Sequence, residues 1–133
     1  MQFSVIIPTY NRAALLSETL DSVVAQEFTN FEIIVVDDGS TDNTAAVVAG
    51  YGERVRFLRQ TNAGPGAARN RGIQHATGRY VAFLDSDDVW FPWTLSSFWL
   101  LIGKCRDPAF VSGECIRFSR ADEIKAIRPA DVA

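Results

Sequence analysis

The 133-residue chain reads as a single open α/β domain with a mostly parallel sheet flanked by helices. Three observations predict this class. Its strongest apolar runs are short and continuous rather than alternating, as strands covered on both faces are. Segments of helical period lie between those runs. Acidic residues cluster after two of them, where open α/β sheets bind their ligands. Apolar residues make up 47% of the chain and charged ones 22%, a balance that argues against disorder.

The elements follow in order. Val5-Ile6-Ile7 is the first strand, and Met1 to Ser4 before it holds neither a basic run nor a long apolar stretch, so no signal peptide is read there. A helix is expected from about Arg12 to Gln26, with Leu15, Leu16, Leu20, Val23 and Val24 on one stripe. The β-branched run Ile33 to Val36 is the second strand. Thr41 or Asp42 can cap a helix through Val47 and Val48. Val55 to Leu58 reads as a weaker strand. Gly66 to His75 is a third helix, with Ala67, Ala68 and Ile73 as packing residues and Gly78 just past its end. Tyr80 to Leu84 is the fourth strand. Pro92 suits a first helical turn, and Trp93 to Ile102 would form that helix. Beyond Pro108, 109–112 and 115–118 are two further candidate strands, and 119–133 is a polar tail of loop or frayed helix.

Composition narrows the function. Thirteen Lys and Arg against sixteen Asp and Glu leave a net charge of -3, which disfavours a nucleic-acid partner. Cys105 and Cys115 make neither a disulfide framework nor a zinc set and read as reduced thiols. The apolar stretch Phe98 to Ile102 is far short of the ~20 residues that span a bilayer. The expected compartment is the cytoplasm, with contact at the inner face of the membrane as its peripheral variant.

The strand ends carry the chemistry. The first ends in Pro8-Thr9-Tyr10-Asn11, the second in Asp37-Asp38-Gly39-Ser40 and the fourth in Asp85-Ser86-Asp87-Asp88. Asp37 and Asp38 can cap the following helix and Asp85 to Asp88 can form a solvated turn. Crowded carboxylates, however, repel one another unless a cation or hydrogen-bond donors compensate. Asp-x-Asp at a strand end suits Mg²⁺ or Mn²⁺, which take one or two carboxylates and fill their other positions with water and phosphate oxygens. Thr61 to Arg71 is a Gly-rich loop feeding a helix, and Arg69 in it can pair with phosphate or with an acidic cluster. It is not a dinucleotide fingerprint, because it follows the third strand and the first strand runs into Pro8.

Four motifs in one order give a specific resemblance. Ser4 to Asn11 (SVIIPTYN), Glu32 to Asp42 (EIIVVDDGSTD), Gly64 to Asn70 (GPGAARN) and Tyr80 to Asp88 (YVAFLDSDD) resemble the family 2 glycosyltransferases, over about residues 3–100. The resemblance implies a Rossmann-like GT-A fold, a nucleotide-diphosphate sugar donor, Mn²⁺ or Mg²⁺, and inversion at the anomeric carbon. It places Pro8, Thr9, Tyr10 and Asn11 at the donor nucleoside, with Tyr10 packing against the base. Asp38 would receive base or ribose donors. Gly66 and Arg69 would lie near base and phosphates, Asp85 and Ser86 beside the donor, and Asp87 with Asp85 would hold the metal. A role in cell-envelope polysaccharide synthesis is part of the same implication.

The chain also departs from the family. Members that transfer sugar are usually considerably longer, and their later half supplies the acceptor surface and a general base. The expectation is therefore a donor-binding half truncated before the acceptor half, with the acceptor (glycan, lipid or protein) and the catalytic base unknown. Glu114, Asp122 and Glu123 are the late acidic residues, and none sits in the family's base motif. The helix after the metal motif is apolar nearly all round, so a homodimer through Trp93 to Ile102 is expected. Two other readings stay in view: a nucleotide-sugar-binding module without transfer activity, and a receiver-like signalling domain. The latter needs a lysine after its last strand, whereas Lys104 follows a helix.

Overall fold

The computed structural model describes residues 1–105 and 108–113. The expectations for Cys115, the strand 115–118, the tail 119–133, and Glu114, Asp122 and Glu123 lie outside those residues. The elements are β1 (Phe3–Thr9), α1 (Ala13–Val24), β2 (Phe31–Asp37), α2 (Thr44–Ala49), β3 (Val55–Arg59), α3 (Pro65–His75), β4 (Tyr80–Phe83) and α4 (Thr94–Lys104). They fall in two compact units: Met1–Ala25 with Thr29–Trp90, and Gln26–Phe28 with the described residues from Phe91 on.

The first unit holds a four-stranded sheet in the order β3-β2-β1-β4, with every pairing parallel. All seven residues of β1 are buried, and so are the last five of β2. That is the continuous burial expected of inner strands of a parallel sheet. β4 departs from the expectation. It stops at Phe83, and Val81 and Phe83, which share one face, are exposed on what is the edge strand among the described residues.

Helix packing follows residue size. α1 buries Leu16, Thr19, Leu20 and Val23, the i, i+3, i+4, i+7 stripe of an amphipathic helix. α3 begins at Pro65, where a fixed φ and a missing N–H cost nothing in a first turn. Its buried face is Ala68 and Gly72, and Ile73, expected to pack, is exposed. Ala68 joins Ile6, Ile34 and Val36 in the core. A Cβ on Gly72 would stand 2.4 Å from Cγ2 of Ile6, so this helix lies too close to β1 for a side chain there.

One carboxylate starts two helices. Oδ1 of Asp42 accepts the Thr44 N–H at 3.0 Å at the head of α2, and Oδ2 accepts the Ala13 N–H at 3.0 Å at the head of α1. The N-cap position of α2 is Asn43, which makes no side-chain cap, so of the two expected capping residues Asp42 serves from one position upstream, and its role extends to a second helix.

In the second unit, Gln26 Nε2 donates to the Phe91 carbonyl at 2.6 Å and its Oε1 accepts the Leu95 N–H at 3.0 Å. α4 buries Leu95 and Ile102 and exposes Trp99, Leu100 and Leu101. Residues 109–112 are not a strand. Phe110 is 83% exposed, so this stretch lacks the covered face that favours extended pairing. No helix among the described residues is long and apolar enough to cross a membrane.

Candidate functional site

β1, β2 and β4 are neighbours and parallel, so their carboxyl ends and the segments that follow them meet at one edge of the sheet. A cleft of about 430 Å³ opens there, within the ~300–1,000 Å³ span of small-molecule sites. Its wall brings together Pro8, Thr9 and Tyr10, Asp38, Gly64 and Arg69, and Asp85, Ser86 and Asp87. These come from all four motifs. A second, more open hollow of about 620 Å³ is lined by Gly39, Arg59, Gln60, Thr61 and Arg71. Arg59 there is already committed to the buried Asp37 carboxylate and to the Ser40 carbonyl.

Asp38 is buried, and each of its oxygens is engaged by the Gly-rich loop. Oδ1 accepts from the Gln60 side-chain amide at 2.8 Å and the Ala63 N–H at 2.9 Å, and Oδ2 accepts the Gly64 N–H at 2.8 Å. Burial pushes the carboxyl up, but these donors outweigh it and hold the group below its ordinary value. Gly64 has φ +90°, a conformation that L side chains rarely adopt, and its amide is turned toward Asp38. Asp38 therefore fixes the loop that leads into α3, the helix that carries Arg69.

Asn11 does related work between the ends of β1 and β2. It takes a left-handed φ of 51°, donates its N–H to Ser40 Oγ at 2.9 Å and accepts the Thr41 N–H on Oδ1 at 2.8 Å. This non-glycine residue is held left-handed by two bonds to the loop after β2. Asn11 and Gly66 do not line the cleft, whereas Tyr10 does and is 47% exposed there.

Charge is concentrated after β4. Asp85 pairs with Arg69 at 2.5 Å, and Asp87 lies 3.9 Å from the guanidinium of Arg12. Asp88 feels its neighbours: partial burial, then the charges of Asp87 and Asp85, push its carboxyl above the ordinary value. Thr9 Oγ1 is buried in the cleft wall with no hydrogen-bond partner among the described residues. No group of three or more potential ligands among those residues could hold a metal alone. The donor set fits a hard cation that shares its coordination with phosphate oxygens, since such ions need only one or two carboxylates from the protein.

Arg12, Asn62, Pro65 and Ala68 also line the cleft, and the sequence patterns do not single them out as site residues. Arg12 does leave a trace in the sequence. It sits at the N-cap of α1, where Ser, Thr, Asp and Asn are preferred, and makes no side-chain cap.

Comparison with known proteins bears on this arrangement. The sequence matches the family model described as Glycosyl transferase family 2 over residues 4–123. An uncharacterized glycosyltransferase of Escherichia coli K12, YibD, is 48% identical over 94 residues, covering 68% of this chain and 27% of that protein. The crystal structure of S. aureus TarS 1-349 in complex with UDP-GlcNAc is 40% identical with a TM-score of 0.75, covering 78% of this chain and 32% of that one. The mannosyltransferase PcManGT from Pyrobaculum calidifontis, in complex with GDP-Man and Mn²⁺, is 30% identical with a TM-score of 0.76, covering 93% of this chain and 37% of that one. Curated relatives matched by the chain are much longer, and it spans 13% to 30% of their length.

Proposed function

The chain belongs to glycosyl transferase family 2, and on that premise we propose that its cleft binds the nucleotide-diphosphate sugar donor of a metal-dependent, inverting glycosyl transfer. The observation that carries the reading is the convergence of Pro8 to Tyr10, Asp38, Gly64 with Arg69, and Asp85 to Asp87 on one cleft. Two similar structures are donor complexes, one with UDP-GlcNAc and one with GDP-Man and Mn²⁺, and they support it. Relatives named as glycosyltransferases favour transfer over a module that only binds.

In this reading Tyr10 packs its ring against the base, and the loop ordered by Asp38 sets the height of the nucleoside. Arg69 offers its guanidinium to the phosphates, for which its planar fork is well shaped. Asp85 and Asp87 would hold Mn²⁺ or Mg²⁺ beside the diphosphate, where the ion would supply positive charge against that developing on the leaving group. The acceptor oxygen forms a bond to the anomeric carbon from the face opposite the diphosphate while the old carbon–oxygen bond breaks. Its proton goes to a general base outside the residues that line the cleft. Self-association through the exposed Trp99, Leu100 and Leu101 of α4 belongs to the same reading; a monomer in analytical ultracentrifugation overturns it.

Calorimetric titration of UDP and GDP tests the site. At least one should bind more tightly with Mn²⁺ than with EDTA, and Asp87→Asn should remove most of that difference. Equal affinity in both buffers overturns the metal assignment, and failure of both nucleotides to bind overturns the site.

A further inference from the structure

Arg12 breaks a local rule. A helix N-terminus carries partial positive charge and favours an acidic or small polar cap, yet an arginine stands at the N-cap of α1. The cap is supplied instead by Asp42, which accepts the Ala13 N–H. The Arg12 side chain is left for the cleft, whose wall it shares with Thr9, Arg69, Asp85 and Asp87. Departures from local preference concentrate where function demands them.

The charges in that wall are paired one to one. Arg69 meets Asp85 at 2.5 Å and Arg12 meets Asp87 at 3.9 Å. The second pair is long, and its two side chains are 53% and 46% exposed, so the contact is weak and easily exchanged. Buried Thr9 Oγ1, without a partner among the described residues and in the same wall, points independently to a polar ligand.

We propose that Arg12 is a displaceable counter-ion: it neutralises Asp87 in the donor-free chain and moves to the diphosphate when donor arrives, so that cation and nucleotide enter together. A cation reaching Asp87 alone must compete with the guanidinium. A diphosphate gives that guanidinium a better partner and releases the carboxylate. Each ligand therefore raises the affinity of the other by the same factor. The proposal rests on the donor-site reading and extends it by naming a residue that couples the two ligands.

Calorimetry on the full chain tests it with three probes: Mn²⁺ alone, UDP or GDP in EDTA, and the nucleotide with Mn²⁺. Arg12→Gln should bind Mn²⁺ alone about two- to fivefold more tightly, because a weak competing ion pair is gone. The same variant should bind nucleotide in EDTA roughly tenfold more weakly, because a charged phosphate contact is gone. Asp87→Asn gives the mirror case: it frees Arg12, and nucleotide in EDTA should bind more tightly than to wild type. If wild type shows metal-enhanced nucleotide binding but these variants move neither affinity, or move both Arg12→Gln affinities the same way, Arg12 is a surface residue and this proposal alone falls. If wild type binds neither nucleotide, the donor site falls with it.

Discussion

Asp38, at the end of β2, accepts on Oδ2 the amide N–H of Gly64 at 2.8 Å, a residue 26 positions later in the chain. The bond ties the second motif to the third before any ligand arrives. Asp38→Asn keeps the shape but turns one acceptor into a donor, which leaves a loop amide unpaired. The expected cost is about 1–3 kcal/mol of stability, read as a lower urea midpoint. UDP or GDP affinity should fall as well, since the loop that leads into α3 and so positions Arg69 loosens. A variant with unchanged midpoint and unchanged affinity would show that the loop holds itself.

Acid should weaken the chain through two carboxyls. Glu32 Oε1 accepts from Ser4 Oγ at 2.6 Å and from the Thr77 N–H and hydroxyl at 2.7 Å each. Burial works against its charge, yet these donors and Arg56 hold it below its ordinary 4.5. Asp38 is held below 3.8 by its own donors, again against burial. Both groups have lower pKa values folded than unfolded, so their contribution is present above those ordinary values and is lost as pH falls through the folded ones. The urea midpoint should therefore drop from about pH 5 downward, and Glu32→Gln should flatten part of that slope. A midpoint independent of pH in this window contradicts both assignments.

Tyr51 should titrate late. Burial, then the hydrogen bond to Asp21 Oδ1 at 2.8 Å and the charge of that carboxylate, push its phenol up to about 12. A raised folded pKa means that its contribution is complete below the unfolded value of ~10 and is lost as pH rises toward the folded one. Absorbance at the phenolate band should show one tyrosine ionising near 12, and Tyr51→Phe should remove that step. The step's survival in the variant would assign it elsewhere.

Gly78 should tolerate no side chain. A Cβ there would lie 2.6 Å from both the Phe3 carbonyl carbon and the Ser4 nitrogen, which are backbone and cannot swing aside. The Gly78 N–H also donates to Ser4 Oγ at 2.8 Å. Gly78→Ala should cost at least the ~1–3 kcal/mol typical of overpacking. Gly52→Ala is the control: a Cβ at that position would meet nothing within 4 Å, so only its left-handed φ of +57° is penalised. Thermal unfolding ranks the two, and a larger loss at Gly52 refutes the close-approach argument.

Much of the first unit is legible in the sequence because burial writes itself into residue type. Ile33 to Val36 is apolar on every residue, and the strand it predicts is buried on both faces. Val81 and Phe83 mislead for the same reason, since an apolar residue does not say whether its strand is central or at the edge. Ile73 looks like a packing residue, but the close approach of α3 to β1 reserves that face for Ala68 and Gly72. The acidic strand ends are visible as motifs. Their partners are not, because Arg12, Gln60 and Ala63 reach them across gaps in the chain that no local pattern encodes.

Strand order also sets a schedule for the nascent chain. β1 pairs with β2 from Phe3↔Phe31 onward, but its other edge waits for β4, whose register begins at Phe3↔Tyr80. As the chain leaves the ribosome, β1, β2 and β3 are all available before the strand that closes β1 on its second side. The interval exposes one edge of the strand that ends up buried along its whole length, the kind of edge that recruits other chains. Slowed synthesis between Arg59 and Tyr80 would lengthen that exposure, whereas a chaperone that shields Val5 to Ile7 until Phe83 has emerged would shorten it.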